Sequence, residues 1–166
     1  MDSSASWWAA RVRQFRSHIL ARVAPEERAG LVDWLMPQQL ALFDAMHVAD
    51  RRHGLDVVAT LRSEGVADRE VLLAGLLHDC AKGETGVWPR VAYALGQGYG
   101  EWVVTIARLA PPMRAPLERL RLHATASAEL AAKAGCPART VELIRHQDAP
   151  IDPDAGRLLQ LADEAN

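Results

Sequence analysis

Residues 71–77 read Val-Leu-Leu-Ala-Gly-Leu-Leu, and the next two residues are His78 and Asp79. A helix from Asp68 to about Lys82 would be apolar on every face, so it must lie at the centre of the molecule with other helices around it. Around this segment, apolar residues recur three and four apart, whereas alternating Val, Ile and Thr runs of strand type are missing. The class expected is all-α, a single helical-bundle domain with an N-terminal helical extension.

The stripe Trp8, Val12, Phe15, Ile19 and Val23 predicts a first helix over about Ser6 to Val23. Pro25 opens a second helix through Leu31 and Leu35, and Pro37 ends it and opens a third through Leu40, Phe43 and Met46. Together residues 1–50 read as a cover on the domain formed by residues 51–166. Val48 to Ser63 is a helix that turns His53 inward, with Gly65 as its stop. Further on, Pro89, the Gly96 to Gly100 cluster and Pro111-Pro112 divide the chain into a helix, an interhelical loop and a helix around Trp102 and Ile106. A helix opens at His123 and runs to Gly135, another runs from Pro137 to His146, and Asp152-Pro153 starts the last one, to Ala165.

With 166 residues, 49% of them apolar, one domain can bury a continuous core. Its 19 Lys and Arg against 21 Asp and Glu create no field that recruits a nucleic-acid duplex or an anionic membrane. Val91 to Ala110, the most apolar long window, is interrupted by polar and glycine residues and fits a membrane span poorly. Two cysteines, Cys80 and Cys136, and no secretory signal point to a reducing cytoplasm. Trp7, Trp8 and Trp34 fit core packing first and a homodimer surface second.

The chemistry concentrates at His78-Asp79. Three, four and seven residues before Asp79 stand Leu76, Gly75 and Leu72, so its carboxylate leaves on an apolar side, where an unpaired charge costs several kcal/mol. A helix C-terminus disfavours it further. A metal ion bound jointly with His78 removes both penalties. His53, His123, His146 and Asp163 are inward-looking groups of the same type, and imidazole with carboxylate suits Mn, Fe, Co, Ni or Zn, with Mg also admissible. Lys82 fits a helix C-terminal cation as well as a phosphate contact.

In order along the chain these residues are Arg52-His53, then Leu76-Leu77-His78-Asp79-x-x-Lys82, His123, Ile144-Arg145-His146 and Ala162-Asp163. The pattern resembles the HD-domain superfamily of metal-dependent phosphohydrolases over about Arg52 to Asn166. The resemblance implies a first metal on His53, His78, Asp79 and Asp163, with His123 and His146 holding a second, so one or two ions. It implies Asp79 and Lys82 as catalytic groups and Arg52, Lys82 and Gln147 as groups facing the substrate. Cys80-Ala81 stands where Ile-Gly is commoner, and His146-Gln147-Asp148 where two adjacent histidines are common. The expected activity is hydrolysis of a phosphomonoester or phosphodiester, with a nucleotide as the substrate. A metal-holding sensor for a phosphorylated ligand is the alternative.

Overall fold

A computed structural model describes residues 21–83 and 85–166. The fold is all-α: among the described residues there are helices and turns and no strand. Helices α1 (Pro25–Val32) and α2 (Pro37–Ala45) lead into α3 (Val48–Ser63) and α4 (Arg69–Leu77). They are followed by α5 (Val87–Tyr99), α6 (Trp102–Ala107), α7 (Pro111–Lys133), α8 (Ala138–Arg145) and α9 (Ala155–Ala165). The expected helix from Ser6, with Trp7, Trp8 and His18, lies outside the described residues except for its end, and residues 21–23 are not helical.

Local chemistry sets most of the boundaries. Pro25 and Pro37 each occupy a first helical turn, where a missing N–H costs nothing. The residues before them donate their N–H groups to side chains three positions on, Ala24 to Glu27 Oε2 at 2.9 Å and Met36 to Gln39 Oε1 at 3.0 Å. Gly65 ends α3 at φ 84°, a left-handed conformation that a side chain would strain. Asp68 caps α4 by accepting from the Glu70 N–H at 2.9 Å.

Every residue from Val71 to Leu77 is buried, so α4 is the axis of the core. It packs against α3 and α8, with α9 closing over α3 and α4 and α7 running along α8. Leu31 and Phe43 from the first two helices, with Leu35 and Met46 just past their ends, belong to the same apolar cluster as Val57, Leu76, Ile144 and Leu159. Each fully buried Leu contributes about 1.5–3 kcal/mol, against about 0–1 kcal/mol for a surface ion pair such as Arg28 with Asp44, so the layer around α4 dominates stability. Trp34 packs on this core with the Arg62 guanidinium 5.6 Å from its ring centre.

Several boundaries differ from the expectation, among them the end of α1 at Val32, short of Leu35. Helix α4 stops at Leu77 rather than Lys82, and residues 78–81 form turns. His123 lies in the middle of α7, which absorbs Pro116 and begins at Pro111, instead of opening a helix. Residues 96–98 belong to α5 rather than to a loop, and their glycine has a packing role: a Cβ on Gly96 would sit 2.4 Å from Val104 Cγ2 on α6. Finally, α9 begins at Ala155, because Asp152 Oδ1 takes the N–H groups of Asp154 and Ala155 and holds a turn before the helix. No helix among the described residues is long and apolar enough to cross a membrane.

Candidate metal centre

Two glycines let α3 and α4 cross closely. A Cβ on Gly54 would lie 2.4 Å from the Leu76 carbonyl oxygen, and one on Gly75 would lie 2.8 Å from Leu61 Cδ1. This contact puts His53, beside Gly54, next to His78, with ring centres 5.2 Å apart. From the other side α9 brings Asp163, whose Oδ1 lies 2.7 Å from His53 Nε2 and 3.3 Å from His78 Nε2. Asp79 Oδ2 is 3.5 Å from His78 Nε2 and 4.0 Å from His53 Nε2. His123 Nε2 approaches the other oxygen, Asp79 Oδ1, at 3.6 Å.

The turn carrying His78 and Asp79 is held by side chains remote in sequence. Gln147 Nε2 donates to the His78 carbonyl at 3.3 Å, and the Ala81 N–H donates to Ser127 Oγ at 3.0 Å. The first bond satisfies a carbonyl left open at the end of α4, and the second anchors the turn that follows. His78 Nδ1 is 2.9 Å from Gly75 O and His123 Nδ1 is 2.6 Å from Leu120 O. A carbonyl only accepts, so each Nδ1 carries the proton and each Nε2 is directed at the carboxylates.

Electrostatics follow from burial and from these contacts. Burial alone would depress His78, yet Asp79 and Asp163 hold it up at about 9. For Asp79 burial pushes upward, but His78, Lys82 and the other histidines hold it well below the usual carboxylate range. Asp163 is lowered against its own desolvation, mainly by His78 and His53. His123 moves the other way, because burial outweighs the attraction of Asp79. Burial also pushes the Cys80 thiol up to about 12, so it stays protonated and inert at neutral pH.

A metal ion fits this donor set. His53, His78 and Asp163 each offer one ligand atom, all within 4.8 Å of one another, and could hold an ion together. Donors about 2.1 Å from one ion lie about 3 Å apart at right angles and about 4.2 Å apart when opposite, and the distances above span that range. Moreover, His78 Nε2 and Asp79 Oδ1 are buried and make no hydrogen bond among the described residues. Buried polar atoms of this kind require a partner. The site is nevertheless open on one side, since the Asp163 side chain is 42% exposed and not buried as its stripe suggested.

The other expected site residues divide. Lys82 Nζ contacts Asp79 Oδ2 at 2.5 Å, which raises its pKa despite its own desolvation. His146, the residue that caps the C-terminus of α8, lies 3.4 Å from Glu142 Oε2 and is not brought to the cluster of His53, His78 and Asp163. Gln147 supports the His78 backbone. Arg52 is engaged by Glu27 on α1, at 2.6 Å, and by Asp56 on its own helix. Sequence reasoning missed Gly54, Ser127, Asp50, Thr85 and Arg90. Only Gly54 left a signal, a glycine inside a helical pattern beside an inward histidine. Comparison with protein-family models, with curated proteins and with solved structures finds no match, so what this centre can do must be argued from its own residues.

Proposed function

We propose that this chain is a metal-dependent phosphohydrolase of the HD type, hydrolysing a phosphomonoester or phosphodiester of a nucleotide. The observation that supports the reading is the convergence of His53, His78, Asp79 and Asp163 on one partly open point, where the buried His78 Nε2 makes no hydrogen bond. Those four residues would hold the first ion, and a Mn, Fe, Co, Ni or Zn ion bound there supplies Lewis acidity at a phosphoryl oxygen and a water of lowered pKa. His123 is the candidate for a second ion or for the substrate, since its Nε2 faces Asp79 from α7.

The protein's own groups divide the remaining work. Asp79 is held ionised, so it orients the attacking water as a hydrogen-bond acceptor in line with phosphorus. Lys82, fixed against Asp79, offsets negative charge that grows on the phosphoryl oxygens. The exposed edge at Asp163 is where a small phosphate ester would enter. Nucleotide as the substrate class rests on the resemblance alone, because no residue of the centre reads a base.

The test is elemental analysis of the purified protein, then a panel of nucleotides, dinucleotides and an aryl phosphate with Mn, Co, Ni, Fe and Mg. Turnover should require metal and fall about 100-fold or more in Asp79→Asn. Absence of turnover across the panel, with tight binding of a phosphorylated ligand, would replace this reading by that of a metal-holding sensor.

A further inference from the structure

One ion pair, buried at its carboxylate, grips the chain immediately after Lys82. Arg90, in the first turn of α5, extends its guanidinium to three partners. Its Nε donates to Thr85 Oγ1 at 2.8 Å, its Nη1 and Nη2 to the two Asp50 oxygens at 2.8 and 3.0 Å, and Nη2 also to the Gly83 carbonyl at 3.2 Å. Asp50 lies in the first turn of α3 and is 2% exposed, and Thr85 is 3% exposed.

A carboxylate taken out of water recovers little net stability from its partner, so the pair is a poor source of folding energy. Its planar fork does fix direction. What it fixes is a stretch that would otherwise choose its own path, since Gly83 and Gly86 both adopt positive φ, 60° and 66°. Gly83 is the peptide neighbour of Lys82. The Lys82 ammonium is held by Asp79, and Arg90 holds the carbonyl of the next residue, Gly83.

We propose that Arg90, backed by Asp50 and Thr85, is a positioning residue that sets the backbone of Lys82 and so presents its ammonium to a phosphoryl group beside Asp79. The inference rests on the phosphohydrolase reading. Arg90 itself touches neither the ligand cluster nor the substrate in this role.

Inorganic phosphate is the probe, titrated calorimetrically into the full chain loaded with metal. The variants are Lys82→Ala, Arg90→Lys, Thr85→Val and the combination of Lys82→Ala with Arg90→Lys. Thr85→Val removes one acceptor without unpairing a charge, so it decides the matter if Arg90→Lys fails to fold. The expected result is unchanged metal content in Thr85→Val and Arg90→Lys, with phosphate affinity several-fold weaker; Arg90→Lys should also melt lower, because the buried Asp50 loses its bidentate partner. Arg90→Lys should add nothing once Lys82 is absent, because the two act as one unit. Wild-type phosphate affinity in the folded Arg90 and Thr85 variants, or losses that simply add to that of Lys82→Ala, would overturn the proposal while leaving the phosphohydrolase reading intact. A metal-loaded wild type that binds no phosphate would overturn both.

Discussion

His78 shows how one ring reports on the centre. Its Nδ1 proton is committed to Gly75 O, and its Nε2 faces two carboxylates in a dry environment that hold its pKa near 9. Without metal the ring is therefore an imidazolium at neutral pH. The raised value contributes stability below the unfolded pKa of about 6.5, and that contribution is lost as pH rises through about 9. Ligation needs the neutral ring, so metal must expel this proton, and apparent affinity should climb with pH and level off above about 9. Burial moves His123 the other way, toward the neutral ring. Calorimetry in buffers of different ionisation enthalpy should accordingly show proton release on metal binding at pH 7, and less of it in His78→Gln. A wild type that binds metal at pH 7 without buffer-dependent heat would show that the ring was already neutral.

At the level of elements, the crossing of α3 and α4 decides whether there is a site at all. The close approach relies on Gly54, whose added Cβ would meet a backbone oxygen that cannot rotate away. Gly54→Ala should cost about 1–3 kcal/mol of stability and weaken metal binding as well, because His53 is carried on the adjacent residue. Gly65→Ala is the matched control. It meets nothing within 4 Å but must adopt φ 84°, so it should cost about 1–2 kcal/mol and leave metal affinity untouched. Thermal melts together with metal titrations separate the two, and wild-type metal affinity in a folded Gly54→Ala would show that the crossing does not set the ligand geometry.

Across the whole molecule, an ion at this point ties together α3, the end of α4 and α9, which are separated by up to 110 residues of chain. A ligand that binds only the folded state at 100 times its Kd adds about 2.7 kcal/mol. In a domain of this size that is a rise of about 5–10 °C in melting temperature. Chelation should lower the melting temperature by this amount, while Asp163→Ala should melt low and ignore the chelator. Equal melting of the metal-loaded and chelated wild type would mean that the ion does not bridge the three elements.

What could be read from the sequence alone was local. The bounds Val48–Ser63 of α3 follow from a 3.6-residue stripe and the stop at Gly65, and the burial of α4 from seven consecutive apolar or small residues. His78 and Asp79 stood out because charge beside such a segment demands a partner. These signals act within a turn or two of helix, where a pattern can register them. The tertiary structure decided the rest. Beyond Leu77 the chain leaves α4 in a turn that Gln147 and Ser127, 69 and 46 residues further on, hold at the His78 carbonyl and the Ala81 N–H. The glycines at 96 and 98 read as breaks, yet α5 runs through them, as α7 runs through Pro116, once neighbouring helices pack on both. His146 had the right spacing but is held beside Glu142, and Asp50 and Arg90, 40 residues apart, had no spacing to reveal them. Which polar group finds which partner depends on how distant helices are brought together, and that is settled only when the core closes around α4.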